Sequence, residues 1–200
     1  MVTSRTQIRQ RIRQQRRQFS PAERLMATEA ICARLGASSV FQNSQRLAGF
    51  MANENEPDLA AVMCQAWATG KVWHLPIIGL PFLNRLWFGR YDAGDALQEN
   101  RFGIAEPRRA LALATPPWGL DVVLMPLVAF DLQGNRLGMG KGYYDRTLSY
   151  LRLRRHWRKP RLIGVAYEFQ KVDALPFQPW DVPLDGVVTE AGYYTFRSDC

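Results

Sequence analysis

The sequence predicts an α/β protein, a single three-layer α/β/α domain with a mostly parallel sheet. Three observations lead to this fold class. Patterns of buried strands alternate with helical patterns, no internal repeat or low-complexity linker interrupts them, and the 200-residue chain is 47% hydrophobic. That length and apolar content are enough for one core, so we expect residues 1–200 to form one domain.

The N-terminal part of the chain predicts two helices. The apolar residues of 4–19 form only a thin stripe, so the first helix should lie on the surface with one edge on the body. Ser20 and Glu23 have the spacing of a capping box, with Pro21 at the first helical position. They predict a second helix that ends at Gly36.

The next segments predict a βαβ unit. LAGFM (47–51) reads as a strand, a polar turn follows, residues 59–70 carry a helical apolar stripe, and KVWHLPII (71–78) reads as a second strand. DVVLMPLVAF (121–130) is the strongest signal of a buried strand. In such a Rossmann-like sheet, ligand sites are expected at the carboxyl ends of the strands.

The remaining segments are less regular. Residues 79–120 are rich in glycine, proline and aromatic residues and give no confident order of elements. A helix is predicted from about Tyr144 to Leu153, and strands are predicted at 162–167 and 185–190.

Histidine and cysteine usage excludes several functional classes. His74 and His156 have no partners at the spacing of a zinc site or a Ser-His-Asp triad. Cys32, Cys64 and Cys200 are far apart and form no CxxC pair, which fits a reducing cytoplasm. No apolar run approaches the roughly 20 residues of a membrane helix, and none follows the basic N-terminus as in a signal peptide.

The formal net charge of +8 is concentrated in residues 1–24 and 151–161. Such clusters attract polyanions, among them nucleic acids, anionic membrane surfaces and small phosphorylated or carboxylated ligands. Charge alone does not choose among these ligands. We expect most of these basic side chains to belong to solvated helix faces.

A glycine-rich loop, GNRLGMGKGYYDR (134–146), follows the strongest strand and precedes a predicted helix. A loop in this place can present backbone N–H groups and a helix N-terminus to phosphate. It is not a Walker A loop, because Asn135 replaces the first glycine and Gly142 the serine or threonine. It is not a dinucleotide loop either, because Tyr143 replaces the third glycine.

The loop also carries the side chains that phosphate chemistry needs. Arg136 and Lys141 are candidate phosphate cations, Tyr143 and Tyr144 are candidate donors, and Asp145 is a candidate magnesium ligand. The alternative is a tight turn with a solvated lysine and an aspartate that caps a helix.

This loop, with DVVLMPLVAFD before it, closely resembles the signature of the 5-formyltetrahydrofolate cyclo-ligases, also called methenyltetrahydrofolate synthetases. Other segments resemble the family in the same order, namely Arg5-x-x-x-Arg9 with RRQFSPAER, FMANENEPDL, NRFGIAEP and WDVPLDGVVTE. The chain departs from the family pattern at Arg5, where lysine is usual, at Met139, where arginine or glycine is common, and at Pro57, in a folate loop that looks shortened.

The resemblance implies an ATP- and Mg²⁺-dependent ligase that converts 5-formyltetrahydrofolate into 5,10-methenyltetrahydrofolate. It implies that Arg5 and Arg9 contact the ATP phosphates together with the nucleotide loop, which comprises Arg136, Leu137, Gly138, Met139, Gly140, Lys141, Gly142, Tyr143 and Tyr144. Arg136, Lys141 and Tyr143 would be catalytic.

By the same resemblance, the folate would contact Met51, Glu56 and the segment Met139 to Tyr143. Asp145 and Asp181 would hold magnesium, with Asp185 as the second choice for the latter ligand. A monomer without a membrane partner is expected.

Two other functions remain open at this level. A small basic nucleic-acid-binding protein would explain the charge but not the loop, and no RRM or KH motif is present. A sugar-phosphate isomerase or acyl-transferring enzyme could use a similar α/β scaffold, because a fold does not fix its chemistry.

Overall fold

A seven-stranded mixed sheet lies at the centre of the computed structural model, which describes residues 4–79, 84–108, 113–153 and 159–196. The helices are α1 (Arg5–Gln18), α2 (Pro21–Ala37), α3 (Ser39–Gln42), α4 (Ala60–Ala68) and α5 (Tyr143–Thr147). The strands are β1 (Arg46–Ala48), β2 (Val72–Ile78), β3 (Leu86–Arg90), β4 (Leu97–Glu99), β5 (Ala105–Pro107), β6 (Val122–Pro126), β7 (Ala129–Phe130), β8 (Arg136–Leu137), β9 (Arg161–Val165), β10 (Gly186–Val188) and β11 (Tyr193–Thr195). Short 3₁₀ turns lie at Pro117–Gly119, Ser149–Leu153 and Glu168–Gln170.

The strand order is β11-β10-β9-β6-β1-β2-β3. The five strands from β10 to β2 are mutually parallel, whereas β11 and β3 pair antiparallel at the two edges. The chain order therefore reverses between β1 and β6, which is the position where doubly wound sheets open a crevice for ligands. Two small antiparallel ribbons, β4–β5 and β7–β8, lie outside this sheet.

Alternate residues of each central strand enter different cores. Leu47 and Val122 pack with residues of α2 and α4, whereas their neighbours Ala48 and Val123 pack with the α5 region on the opposite face. This is the two-residue period of a strand that is buried on both faces. The predicted α/β class with a mostly parallel sheet is confirmed.

The first two helices follow the sequence signals closely. In α2, Ser20 and Glu23 form the predicted capping box and Pro21 is the first helical residue. In α1, a second capping box joins Ser4 and Gln7. Only one edge of α1 is buried, as predicted from its thin apolar stripe.

Two predicted elements are interrupted in the structure. Residues 121–130 form β6 and β7 instead of one strand, because the carbonyl of Leu127 is taken by side chains of Arg16 and Gln170 at 3.0 and 2.7 Å. The helix predicted from Tyr144 to Leu153 ends at Thr147 and continues as a 3₁₀ turn. Strands β3, β4 and β5 lie in the region that sequence patterns did not order.

The strand predicted at 47–51 leaves the sheet at Gly49. An ideal Cβ at Gly49 would lie 2.1 Å from the ring of Trp73, so any side chain there would displace the indole. Beyond Gly49, Phe50 and Met51 line the cavity at the carboxyl edge of the sheet. Within the described ranges, no helix is long and apolar enough to cross a bilayer.

Candidate functional site

A cavity of ≈ 1190 Å³ opens at the carboxyl edge of the parallel strands. Phe50 and Met51, which follow β1, and Pro126 and Leu127, which end β6 or follow it, line its floor. Because the strand order reverses between β1 and β6, the cavity lies at the predicted crevice of the sheet. Its volume exceeds the roughly 300–1,000 Å³ of a typical small-molecule site, which leaves room for two ligands.

The lining has two chemically different parts. We call the first the apolar wall; it is formed by side chains from strand ends and the β4–β5 turn, chiefly Phe50, Met51, Ile78, Leu86, Phe102 and Ile104. We call the second the cationic wall; it is formed by α1 and the glycine-rich loop, chiefly Arg5, Arg9, Lys141, Asp145, Arg146 and Asp181.

The glycine-rich loop is held open by its backbone. Gly140 and Gly142 have φ values of 98° and 66°, a region that favours glycine. The Nε of Arg9 donates to the carbonyl of Gly138 at 2.8 Å, which ties the loop to α1. Around Gly138 an ideal Cβ would meet no atom within 4 Å, so the space beside the loop is open to a ligand.

Two ion pairs organise the carboxylates of the cationic wall. Arg5 donates to Asp181 at 2.6 Å, and Arg136 donates to Asp145 at 2.6 Å. Arg136 also donates to the carbonyl of Val182. Burial lowers the pKa of Arg136, while Asp145 and Asp181 raise it. Both terminal nitrogens of Arg136 are thus engaged, although each carries a second N–H that could donate to a ligand.

The two carboxylates have capacity for a hard cation. In each of Asp145 and Asp181, one oxygen carries the hydrogen bonds and the other has none within the described part of the chain. The same part of the chain contains no group of three or more metal-binding side chains. This set suits Mg²⁺, which usually takes one or two protein carboxylates and fills its shell with phosphate and water.

A strained turn places Glu56 at the edge of the apolar wall. Glu54 and Asn55 have φ values of 48° and 62°, and the N–H of Glu56 donates to the carbonyl of Asn53 at 3.0 Å. Left-handed backbone at two successive non-glycine residues costs about 1–2 kcal/mol each and needs support from its surroundings. Ion pairs from α1 to Glu54 and Glu56 supply that support.

Glu56 itself is nearly buried, with 12% of its side chain exposed. The pKa of Glu56 is raised to about 7, chiefly by burial, and the nearby Arg16 guanidinium keeps this rise from being larger. Glu56 also faces Tyr144, whose pKa is raised by burial and by this carboxylate. A carboxyl group that titrates near neutral pH beside a cavity is a candidate functional group.

Aromatic and cationic side chains join the two walls. The Nζ of Lys141 lies 4.5 Å from the ring centroid of Phe102, and Arg101 donates to the hydroxyl of Tyr143. Tyr143 also packs edge-on against Phe102 with centroids 6.0 Å apart. The β4–β5 turn therefore reaches across to the glycine-rich loop.

Most candidate residues from the sequence meet in this cavity. Those on its wall are Arg5, Arg9, Met51, Glu56, Arg136, Gly138, Met139, Gly140, Lys141, Gly142, Tyr143, Tyr144, Asp145 and Asp181. Leu137 is not among them, because its side chain packs under the loop against Ile8 and Ile12. Asp185 lies at the opposite edge of the sheet, where it accepts the N–H of Leu162 at 2.7 Å.

The expectation for the other basic residues of α1 is wrong in one case. Arg16 was expected to be solvated, but its side chain is 2% exposed and pairs with Glu56. Arg13 is half-exposed and pairs with Glu54. Of the C-terminal basic cluster, residues 154–158, which include His156, lie outside the described residues, as does Cys200.

Sequence reasoning missed several lining residues. Asn100, Phe102 and Ile104 belong to the segment NRFGIAEP, which was noted as a motif but not assigned to the site. Trp180 and Arg146 flank the predicted magnesium ligands. The signal in each case was position within a recognised motif. His74, by contrast, is buried in β2 next to β1, with ring nitrogens 3.1 Å from the Leu47 carbonyl and the Thr115 hydroxyl.

Comparisons with known proteins identify the family of the chain. The profile of the 5-formyltetrahydrofolate cyclo-ligase family matches residues 1–190. The 5-formyltetrahydrofolate cyclo-ligase of Escherichia coli K12 is 35% identical over 89% of this chain and 96% of its own. The mouse protein of the same name is 29% identical over 92% of each chain.

Solved structures give the same result. The structure of Aquifex aeolicus 5,10-methenyltetrahydrofolate synthetase superposes with a TM-score of 0.82 at 31% identity, over 98% of this chain and 94% of its own. The Mycoplasma pneumoniae synthetase superposes with a TM-score of 0.71 at 26% identity, over 93% and 98%. With the fold, the loop and the cavity all in agreement, this chain belongs to the 5-formyltetrahydrofolate cyclo-ligase family.

Proposed function

We propose that the protein converts 5-formyltetrahydrofolate into 5,10-methenyltetrahydrofolate and hydrolyses ATP to ADP and phosphate in the process. Membership of the family supports this reaction. The observation that carries it in this structure is that an apolar wall and a cationic wall meet in one cavity. A reduced pterin suits the first wall, and a triphosphate suits the second.

The chemistry requires both ligands at one place. The N5-formyl group is an amide, so its carbon is a weak electrophile and its oxygen a poor leaving group. Attack of the formyl oxygen on the γ-phosphorus of ATP releases ADP and gives an iminium phosphate. N10 then adds to the formyl carbon, N10 loses its proton, and phosphate leaves as the methenyl bridge forms. The protein contributes chiefly position and charge.

The cationic wall would bind the triphosphate. Arg5 and Arg9 project from the first turns of α1, and Lys141 and Tyr143 project from the glycine-rich loop. Lys141 and Tyr143 contact the β4–β5 turn, so they lie where the two ligands would meet. Arg136 would act in this step mainly by fixing Asp145, its ion-pair partner.

Magnesium belongs to this proposal as the partner of ATP. Asp145 and Asp181 would hold it, each through the oxygen that carries no protein hydrogen bond. The ion would neutralise charge on the phosphate oxygens. Arg136 and Arg5 keep the two carboxylates oriented toward the cavity.

The apolar wall would bind the folate. Met51 offers apolar contact at the end of β1, and Glu56 offers the acceptor for a pterin N–H or for the N10 proton. The segment from Met139 to Tyr143 faces both ligands, so it would contact the formyl end of the folate as well as the phosphates.

The proposal includes a monomer in a reducing compartment such as the cytoplasm. Cys32 and Cys64 are free thiols, and burial raises the pKa of Cys32 to about 11, which keeps it protonated and inert.

The test is a spectrophotometric assay for methenyltetrahydrofolate, with ADP measured in parallel and with ATP or Mg²⁺ withheld in turn. We expect product only when formyltetrahydrofolate, ATP and Mg²⁺ are all present, and one ADP for each methenyl product. Product formation without ATP would contradict the proposed phosphorylation. A filter-binding titration across salt concentrations tests the nucleic-acid alternative, which predicts strong, salt-sensitive binding.

A further inference from the structure

Arg16 is a buried arginine at the C-terminal end of α1. Its side chain is 2% exposed, and an arginine keeps its charge in a protein interior. One terminal nitrogen donates to the carbonyl of Leu127 at 3.0 Å, and the other lies 3.5 Å from Glu56. Such a charge is costly to bury without partners, so these two contacts define what Arg16 does.

The contacts of Arg16 belong to the site. Leu127 follows β6 and lines the cavity floor, and Glu56 lines the same cavity. Arg16 thus binds the backbone at the crevice of the sheet and the carboxylate above it. It does not line the cavity itself, so it acts on a ligand only through these partners.

The same helix carries Arg5 and Arg9. Arg5, Arg9 and Arg16 are separated by four and seven residues, so they lie on one face of α1. From Arg5 to Arg16 the helix rises about 16 Å. One rigid helix therefore contacts the glycine-rich loop at its beginning and the Glu56 turn at its end.

The charge of Glu56 is finely balanced. The groups that face it are Arg16 from α1, Tyr144 from α5, and, from its own turn, Glu54 and the backbone N–H of Asn53, which donates to the carboxylate at 3.2 Å. Burial and Glu54 oppose ionisation of Glu56, whereas Arg16 and the Asn53 N–H favour it, so Arg16 is the one cation among these groups that favours the carboxylate. At 3.5 Å the pair is loose, so Glu56 keeps capacity to accept a hydrogen bond from a ligand.

We propose that Arg16 is a positioning residue that keeps Glu56 ionised and oriented toward the folate, and that links this carboxylate to the helix that binds ATP. The inference rests on the proposed function. It assigns Arg16 no contact with either ligand. Because Leu127 offers only a backbone carbonyl, which does not titrate, an effect of Arg16 on the pH dependence of the reaction must pass through Glu56.

The test is the pH profile of kcat/KM for 5-formyltetrahydrofolate in Arg16→Met, measured at saturating ATP. Loss of the cation raises the pKa of Glu56, so the acidic limb of the profile should move to higher pH. We expect about a tenfold loss of kcat/KM at pH 7 and recovery of most of it at pH 9, with the KM for ATP changed less than twofold. Arg16→Lys retains the charge and should shift the limb less.

A double-mutant cycle excludes a merely structural role. If Arg16 acts through Glu56, adding Arg16→Met to Glu56→Gln should change kcat/KM less than twofold, because no carboxylate remains to be ionised. Should Arg16→Met fail to fold, Arg16→Lys is measured in the same cycle. Arg13→Met is the matched control, since Arg13 pairs with Glu54 of the same turn in an exposed position.

Three results would overturn the inference: an equal loss at all pH values, a full loss on top of Glu56→Gln, or an equal limb shift in Arg13→Met. Each differs from failure of the proposed function. If the unmodified protein makes no methenyltetrahydrofolate from its substrates, the reaction is wrong. If it makes the product and the limb stays in place, only the role of Arg16 is wrong.

Discussion

The two walls of the cavity differ in how they hold charged side chains. In the cationic wall, ion pairs such as Arg5–Asp181 are partly exposed and hold charges that a phosphate or a metal ion can share. In the apolar wall, the carboxylate of Glu56 is nearly buried, with Arg16 as a loose cationic partner and the Asn53 N–H donating at 3.2 Å. The first wall can exchange partners at little cost, whereas the second holds a charge whose state depends on its surroundings. Substitutions in the cationic wall should therefore alter the dependence on ATP and Mg²⁺, whereas substitutions in the apolar wall should alter folate binding and pH dependence.

The largest effect is expected at the cationic wall. Asp145→Asn removes the charge that would hold magnesium and also leaves Arg136 without its ionic partner. We expect about a 100-fold loss of kcat and a raised Mg²⁺ requirement, as when metal-site groups are altered. Steady-state rates across a magnesium titration measure both. Asp185→Asn is the control, because Asp185 lies at the other edge of the sheet, and an equal loss there would contradict the assignment.

Arg9 and Arg13 offer a sharper comparison within one helix. Arg9 lines the cavity and donates to Gly138, whereas Arg13 is half-exposed and pairs with Glu54. Arg9→Ala should raise the KM for ATP about 10- to 100-fold, the range for lost hydrogen bonds to charged groups. Arg13→Ala should raise it less than about twofold, as for an exposed ion pair. Equal effects in the steady-state assay would mean that only the overall charge of α1 matters.

Phe102 tests the contact between the walls. Phe102→Leu keeps an apolar side chain but removes the ring beneath the Nζ of Lys141. The KM for the folate should rise about two- to fivefold, in line with an exposed cation–π contact of about 0.5–1 kcal/mol. Trp118→Leu is the control, since Trp118 is an exposed aromatic residue outside the cavity lining. A similar rise in that variant would show that the ring of Phe102 has no special role.

The smallest effect concerns stability. The folded protein raises the pKa of Glu56 from 4.5 to about 7, so folding favours its protonated form. The stabilisation relative to Glu56→Gln is therefore complete below pH 4.5 and declines as the pH rises through about 7. The cost of leaving Arg16 unpaired in the variant does not vary over this range. In thermal unfolding from pH 4 to pH 8, the Tm of Glu56→Gln should rise relative to that of the unmodified protein as the pH increases. A Tm difference that does not change with pH would contradict the burial of Glu56.

The cationic wall was accessible from sequence because most of it is contiguous. The loop at 134–146 contains its glycines and polar side chains in one continuous segment, and its position between a strand and a helix predicted a phosphate site. Asp181 and Asp185 show the limit of such reasoning. They are four residues apart, yet one faces the cavity and the other caps the amino end of β9.

The apolar wall was largely hidden because it is assembled from distant segments. Nothing local indicates that Arg16, in a helix with many solvated arginines, reaches Glu56 and Leu127. The same contact explains the error in the strand at 121–130, since the carbonyl of Leu127 leaves the sheet to accept this guanidinium. Contacts between residues that are 40 and 111 positions apart require the fold before they can be seen.

The central claim is that one cavity holds two ligands on two distinct walls, and a crossed titration tests it most directly. Isothermal titration would use Arg9→Ala and Glu56→Gln, each with 5-formyltetrahydrofolate and with a nonhydrolysable ATP analogue plus Mg²⁺. The account predicts that Arg9→Ala loses about tenfold or more in nucleotide affinity and keeps its folate affinity. It predicts that Glu56→Gln loses folate affinity and keeps its nucleotide affinity. Loss of nucleotide affinity in Glu56→Gln with normal folate binding would contradict it.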